Sequence, residues 1–389
     1  MSDGHPTGGF DDLALPLLRL RRSVKWTQYE PDVLPVWIAE MDFDVARPIH
    51  EVLLEAVSRS DLGYPSTEPL AAAFAHFARA RWSWQVEVGH VHAVSDVVTG
   101  IAEVLLAMTE PGDGVVINPP VYAPFFSTIE SVGRRVVSVP LVSVAGRPTV
   151  DLGRLDAAFA AGARAYLLCN PHNPTGTVLS RTELEAIADL AARYGVAVIA
   201  DEIHGPLTHP DTEFTSFASL GQERCKRVVS LLSASKAWNL AGMKCAVIVA
   251  GSPSAEAELQ RLPESLRYHV GHFGVLASIA AFTEGGLWLD ECVRHIAANR
   301  VLLSELVTEK LPGVGYREPE AGYLAWLDFR TTTLGDDPAD VLHTVGRVAL
   351  SPGPPMGDEG IGFARLNFGT SPAILTEAVE RIAATLAAH

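Results

Sequence analysis

Lys236 lies between two runs of residues suited to buried strands. In "SLLSASKAWNLAGMKCAVIVA", residues 230–250, it follows Leu231 and Leu232 and precedes Ala246-Val247-Ile248-Val249-Ala250. Beside the interior of a sheet an ammonium is costly unless it is paired, neutral or used covalently. A partly neutral buried amine is a nucleophile for a carbonyl carbon. The plainer alternative is a solvated lysine at a strand end. Other polar residues interrupt apolar runs in the same way: Ser95-Asp96, Tyr122, Asn173, Asp201, His204 and Ser233. Each alone would be a turn, a cap or a packing residue. Together they are different functional groups, brought to one edge by successive strands.

The elements that must position them are short and alternating. "AYLLCN" (165–170) is an apolar run stopped by the turn-rich "PHNPTG". Ser180 with Glu183 three residues on has the form of a capping box, and Leu184, Ile187, Ala188, Ala191 and Tyr194 recur at helical spacing up to Gly195. "VAVIADE", "VVSLLS" and "CAVIVAG" read as further strands. "VHAVS" leads into a helix expected over Thr99–Met108, and "DGVVIN" follows it. Strand–helix repetition of this kind predicts an α/β fold with a mostly parallel sheet covered by helices on both faces. In such sheets ligands bind beyond the carboxyl ends of the strands. From about residue 285 the texture changes. "LWLDECVRHIAANRVLLSELVTEKL" reads as one long amphipathic helix, followed by "YLAWLDFR", the loop "SPGPPMGDEGIG", "FARLNFG" and a last helix. The expected organisation is an amino-terminal segment (1–47) joining the small domain, a large domain (48–284) and a smaller α+β domain (285–389).

Composition narrows the function classes. The chain has 389 residues, of which 48% are hydrophobic, enough for a large core. A formal net charge of −16 argues against nucleic acid or an anionic membrane as partner. The four cysteines form no CxxC pair, which suits free thiols in a reducing compartment. "MSDGHPTGGFDD" lacks a basic region followed by an apolar one, and no apolar run is long enough for a bilayer, so a cytoplasmic protein is expected. His90 and His92 alternate along one strand, no HExxH occurs and no metal is expected. No GxGxxG follows a strand, which leaves a nicotinamide dehydrogenase unsupported.

An aldehyde cofactor such as pyridoxal 5′-phosphate would give each group a task. Lys236 would bond to the aldehyde, and Asp201 would keep the pyridine nitrogen protonated so that the ring accepts electrons. Asn173 could donate to the ring hydroxyl and Tyr122 could stack on the ring. The phosphate would take backbone N–H groups at the helix start after Ser95-Asp96, those of Val97 and Val98, with Ser233 and a cation at Lys244 available nearby.

"NPHNPTG", "DEIHGPL" and "SASKAWNLAG", in this order, resemble the aspartate-aminotransferase superfamily of fold type I, and the resemblance spans nearly the whole chain. It implies that Lys236 is catalytic, with Tyr122 and Tyr64 beside it. It also implies that Asp201, Asn173, His204, Tyr122, Ser233, Val97, Val98 and Tyr64 hold the cofactor. Arg365 of "FARLNFG" would clamp the substrate α-carboxylate, with Ala39 and Asn173 completing the substrate contacts. Tyr64 matches a tyrosine that reaches the neighbouring subunit's phosphate, which implies a homodimer with shared active sites. "RRSVKWTQYEPDVLPVWIAEMDFDVARPI" (21–49) is similar to the opening of the MalY/PatB-type carbon–sulfur lyases, the cystathionine β-lyase branch. That similarity implies α,β-elimination from an amino-acid thioether, with a pocket shaped by Trp37, Tyr29 and Phe273. Two other readings use the same residues: an aminotransferase acting on an amino acid and a 2-keto acid, and a regulatory or interaction protein that retains the fold.

Overall fold

The computed structural model describes residues 10, 11 and 13–389. The chain divides into two compact units. The larger comprises residues 45–290 and 320–322; the smaller comprises residues up to 44, 291–319 and 323–389.

Seven strands form the sheet of the larger unit: β1 (Val91–Val94), β2 (Gly114–Ile117), β3 (Arg135–Ser138), β4 (Ala165–Cys169), β5 (Ala197–Asp201), β6 (Val228–Leu232) and β7 (Ala246–Ala250). Their spatial order is β1-β7-β6-β5-β4-β2-β3. Only β7 runs against its neighbours, antiparallel to both β1 and β6. The carboxyl ends of the other six therefore share one edge, and the start of β7 lies there too. Every residue of β2, β4, β5, β6 and β7 is buried, as the unbroken runs of Val, Ile, Leu and Ala require of strands covered on both faces.

The helices of the larger unit include α1 (Arg47–Ser58), α2 (Glu68–Trp82), α3 (Val97–Met108), α4 (Pro124–Ser131), α5 (Arg181–Tyr194), the single turn α6 (Ala234–Ala237) and α7 (His272–Glu284). α3 packs on β5, β6 and β7, while α7 lies against α1 and α2. Gly100 permits the close seat of α3, because a Cβ there would stand 2.5 Å from Leu231 Cδ2. The expected start of α3 at Thr99 is two residues late. Asp96 Oδ1 accepts the Thr99 N–H at 2.8 Å and makes Val97 the first helical residue. In α5 both bonds of the capping box form, and Gly195 ends the helix at φ +66°.

The smaller unit holds a four-stranded antiparallel sheet of β8 (Gly315–Tyr316), β9 (Leu324–Asp328), β10 (Ser351–Pro352) and β11 (Phe363–Asn367), in the order β8-β9-β11-β10. Residues 291–310 of the long helix α8 (Gly286–Lys310) and all of α9 (Pro372–Ala388) belong to this unit. Leu34–Pro35 pairs in parallel with Val348–Ala349, tying the amino-terminal segment to this unit. All four cysteines are free and buried. Among the described residues no helix is long and apolar enough to cross a membrane. No group of three or more His, Cys, Asp or Glu among them could hold a metal ion.

Candidate active site

The carboxyl edge of the large sheet gathers the residues singled out from the sequence. Asp201 ends β5 directly opposite Cys169, the last residue of β4. Its carboxyl is buried and accepts the Ile203 N–H at 3.1 Å. Burial raises its pKa to about 6, against the pull of the Ile203 N–H and of the Lys236 ammonium. Lys236 is half-buried on α6, one turn beyond β6. Ser233 braces that turn: its hydroxyl accepts the Ser235 N–H at 3.0 Å and donates to the Cys245 carbonyl at 2.6 Å. Its proton is thus given to the protein, whereas the sequence had suggested a phosphate contact.

Asn173 is buried in the turn after β4, next to a cis bond to Pro174. Its N–H donates to Cys169 Sγ at 3.3 Å, and its carbonyl accepts the Tyr122 N–H at 3.0 Å. The two residues expected to face the cofactor ring are therefore bonded to each other through the backbone. His172 beneath them is buried, and desolvation lowers its pKa to about 4. Facing the Asn118 carbonyl at 3.3 Å, its Nε2 is assigned the hydrogen, and Nδ1 accepts from the Thr175 hydroxyl at 3.1 Å. The Tyr122 ring packs edge-on against Phe125, and buried His204 leads into the short turn Gly205–Leu207.

At the other end of this edge, Val97 and Val98 open α3, where the first N–H groups have no acceptor within the helix. Lys244, just before β7, places Nζ 3.3 Å from Asp96 Oδ2. The single reversed strand explains this meeting, which the sequence left unassigned. Partial burial works to raise the Asp96 pKa, but the Thr99 N–H and Lys244 outweigh it and the net shift is downward.

This donor set suits pyridoxal 5′-phosphate. Asp201 is a desolvated carboxylate with one backbone donor, so a protonated pyridine nitrogen is the kind of partner it needs. Lys236 offers the amine, and the opening of α3 with Lys244 offers N–H groups and a cation for a phosphate. Tyr64 differs from these residues. It lies in the loop between α1 and α2, is 84% exposed, and meets Tyr268 edge to face with ring centroids 6.1 Å apart.

Within the smaller unit, Arg365 of β11 is buried. Its Nη2 donates to Ser351 Oγ at 2.9 Å and to the Trp37 carbonyl at 3.3 Å. Ser351 stands opposite it in the β10–β11 register and donates to the same Trp37 carbonyl at 2.6 Å. Ala39, two residues on, accepts from the Tyr323 hydroxyl at 3.0 Å. Tyr29 and Trp37 meet edge to face at 5.5 Å. In the larger unit His272 opens α7 next to Phe273, its Nε2 3.3 Å from Asp61. Ser351 and Tyr323 carried no sequence signal, since only the strand register and chain reversal bring them to these partners.

The profile of the aminotransferase class I and II family matches residues 31–382. The cystathionine β-lyase of Corynebacterium glutamicum is 35% identical over 95% of this chain and 98% of its own length. A crystal structure of a Corynebacterium diphtheriae protein superimposes with a TM-score of 0.93 at 34% identity, covering 98% of this chain and 100% of that one. Cystalysin from Treponema denticola, whose structure contains pyridoxal 5′-phosphate, gives 0.89 at 26% identity, covering 98% and 99%.

Proposed function

The chain belongs to the aminotransferase class I and II family, and within it we infer a pyridoxal-phosphate-dependent carbon–sulfur β-lyase. It cleaves cystathionine or another cysteine S-conjugate to a thiol, pyruvate and ammonia. What carries this reading is the end-to-end similarity to the C. glutamicum cystathionine β-lyase, seen beside the amino-terminal "SVKW" and "WIAEMDF".

When bound, pyridoxal phosphate supplies an aldehyde carbon for the substrate amine and a protonated ring that accepts the electron pair left on Cα. The side chains around it have separate tasks. The Lys236 amine takes the proton from the substrate Cα as general base and returns a proton to the departing sulfur as the Cβ–S bond breaks. Asp201, buried at the end of β5, would pair as a carboxylate with the protonated ring nitrogen and keep the proton there. The Asn173 amide and the Tyr122 ring fix the plane of the ring, and His204 closes the same edge. Backbone N–H groups of Val97 and Val98 hold the phosphate with Lys244, while Ser233 keeps the Lys236 turn in place. Arg365 takes the substrate carboxylate in a forked hydrogen bond, with Ala39 and Asn173 as further contacts.

Tyr64 is assigned to the neighbouring subunit's phosphate, because so exposed a tyrosine has little to hold in its own chain. Exposed Leu62 and Tyr268 near it support a homodimer on this face.

The deciding experiment is incubation of the purified protein with cystathionine and no added keto acid. Pyruvate together with a free thiol is expected. A strict requirement for a 2-keto acid acceptor would identify an aminotransferase instead.

A further inference from the structure

The segment 36–42 of the smaller unit runs beside β11 with its carbonyls taken in succession by side chains. Trp37 O accepts from Arg365 and Ser351. Ile38 O accepts from Asn367 Nδ2 at 2.7 Å, Ala39 O from Tyr323, and Glu40 O from both Asn367 Nδ2 at 2.7 Å and Lys25 Nζ at 2.9 Å. The Asn367 amide is itself oriented, because its Oδ1 accepts the Gly369 N–H at 2.7 Å. In a trans peptide the N–H points away from the carbonyl of the same plane. Holding Ile38 O on Asn367 therefore aims the Ala39 N–H to the opposite side.

One end of this strap is fixed by a buried ion pair. Lys25 Nζ lies 2.6 Å from Asp42 Oδ1, with both side chains 1% exposed. Asp42 N–H in turn donates to the Gly369 carbonyl at 2.9 Å. Asp42 Oδ2 is buried with no hydrogen-bond partner among the described residues. A buried pair returns little net stability over apolar side chains of similar size. What it does impose is register. Apolar contacts allow a strap to slide by a residue; an ammonium committed to Glu40 O and Asp42 does not.

We infer that Lys25 and Asp42 are positioning residues for the substrate's α-carboxylate. They pin the 37–40 strap so that Trp37 O orients the Arg365 guanidinium and the Ala39 N–H keeps its direction. This rests on the carboxylate role proposed for Arg365. It also gives a physical reason for Lys25 of "SVKW" and Asp42 of "AEMDF", 17 residues apart, to stand in one signature: each supplies one charge of the same pair.

The test compares the holoenzyme with its Lys25→Met/Asp42→Leu variant, which removes both charges together so that neither is left buried alone. Binding is read from the visible absorption of the bound cofactor during titration with alanine, and separately with ethylamine, which lacks the carboxylate. Neither ligand carries a leaving group at Cβ, so the binding readout does not depend on elimination. The dissociation constant for alanine should rise about tenfold, as for one weakened charge-assisted hydrogen bond, while that for ethylamine stays within about twofold. Amides of residues 36–42 should exchange with solvent at least about tenfold faster. Equal losses for both ligands would mean a purely structural pair and overturn the inference, as would unchanged alanine binding or unchanged exchange. If the double variant does not fold, Asp42→Asn is measured instead. It keeps an acceptor for Lys25 and should shift alanine alone in the same direction; a shift of both ligands, or of neither, would overturn the inference.

Discussion

Lys244 Nζ and Asp96 Oδ2 stand 3.3 Å apart, so the carboxylate that caps α3 also holds a cation beside that helix's opening N–H groups. Both partners are partly exposed, and such pairs contribute about 0–1 kcal/mol to folding. Lys244→Met should therefore leave the melting temperature of the apoprotein nearly unchanged. Its expected effect is on the cofactor: affinity of the apoprotein for pyridoxal phosphate should fall about tenfold, the cost of one phosphate contact. Absorbance titration measures it. Undiminished affinity would remove Lys244 from the phosphate site.

Lys236→Ala should lose the visible absorption of the bound cofactor and reduce pyruvate formation by at least about 10³-fold, since both general base and covalent partner are gone. The fold should persist, because Ser233 still caps the turn and bonds to Cys245. A colourless variant with normal turnover would refute the assignment.

Arg365→Gln should raise KM for cystathionine by roughly 10²-fold with a smaller change in kcat, as expected for a contact made in both ground and transition states. Cofactor content should be unaffected. If cofactor is lost while KM holds, the arginine serves the wrong ligand in this account.

Glu202, next to Asp201, is fully buried, accepting from the Ser216 hydroxyl at 2.7 Å and the Phe217 N–H at 2.6 Å. Burial raises its pKa to about 8, against these donors, and Asp201 is raised to about 6. Above their unfolded values these two carboxyls thus bind more protons in the folded apoprotein than in the unfolded chain, and their own contribution to stability falls as pH rises. The Glu202 contribution is fully present below its unfolded value near 4.5 and is lost as pH rises through 8. It is on the order of a few kcal/mol. Glu202→Gln mimics the neutral acid, with Nε2 able to donate to Ser216 and Oε1 to accept from Phe217. Thermal melts should show the variant gaining stability over the parent at pH 8 but not at pH 4. Identical pH dependence in both would show that Glu202 is not the group responsible.

The sequence revealed what local chemistry controls. Apolar runs marked β4 to β7, Ser180 and Glu183 marked the start of α5, and the polar residues ending those runs all arrived at one sheet edge. Strand direction was not legible, because a run such as Ala246–Ala250 buries equally well either way. For that reason Lys244 had no partner until β7 was seen to reverse. Pairings across the smaller unit were hidden for a related cause. Lys25 with Asp42 and Arg365 with Ser351 depend on chain reversals, and periodicity reports which side is covered but not by whom.

The burial of all four cysteines has a chemical consequence for an enzyme that releases thiols. Desolvation lifts Cys225 to about 12 and Cys245 to about 11, and carries Cys169 and Cys292 well above the usual thiol range. Exchange with a disulfide requires a thiolate with access to it. These side chains have neither property near neutral pH. Burial therefore shields all four thiols from mixed-disulfide exchange with oxidised sulfur products while the fold stays closed.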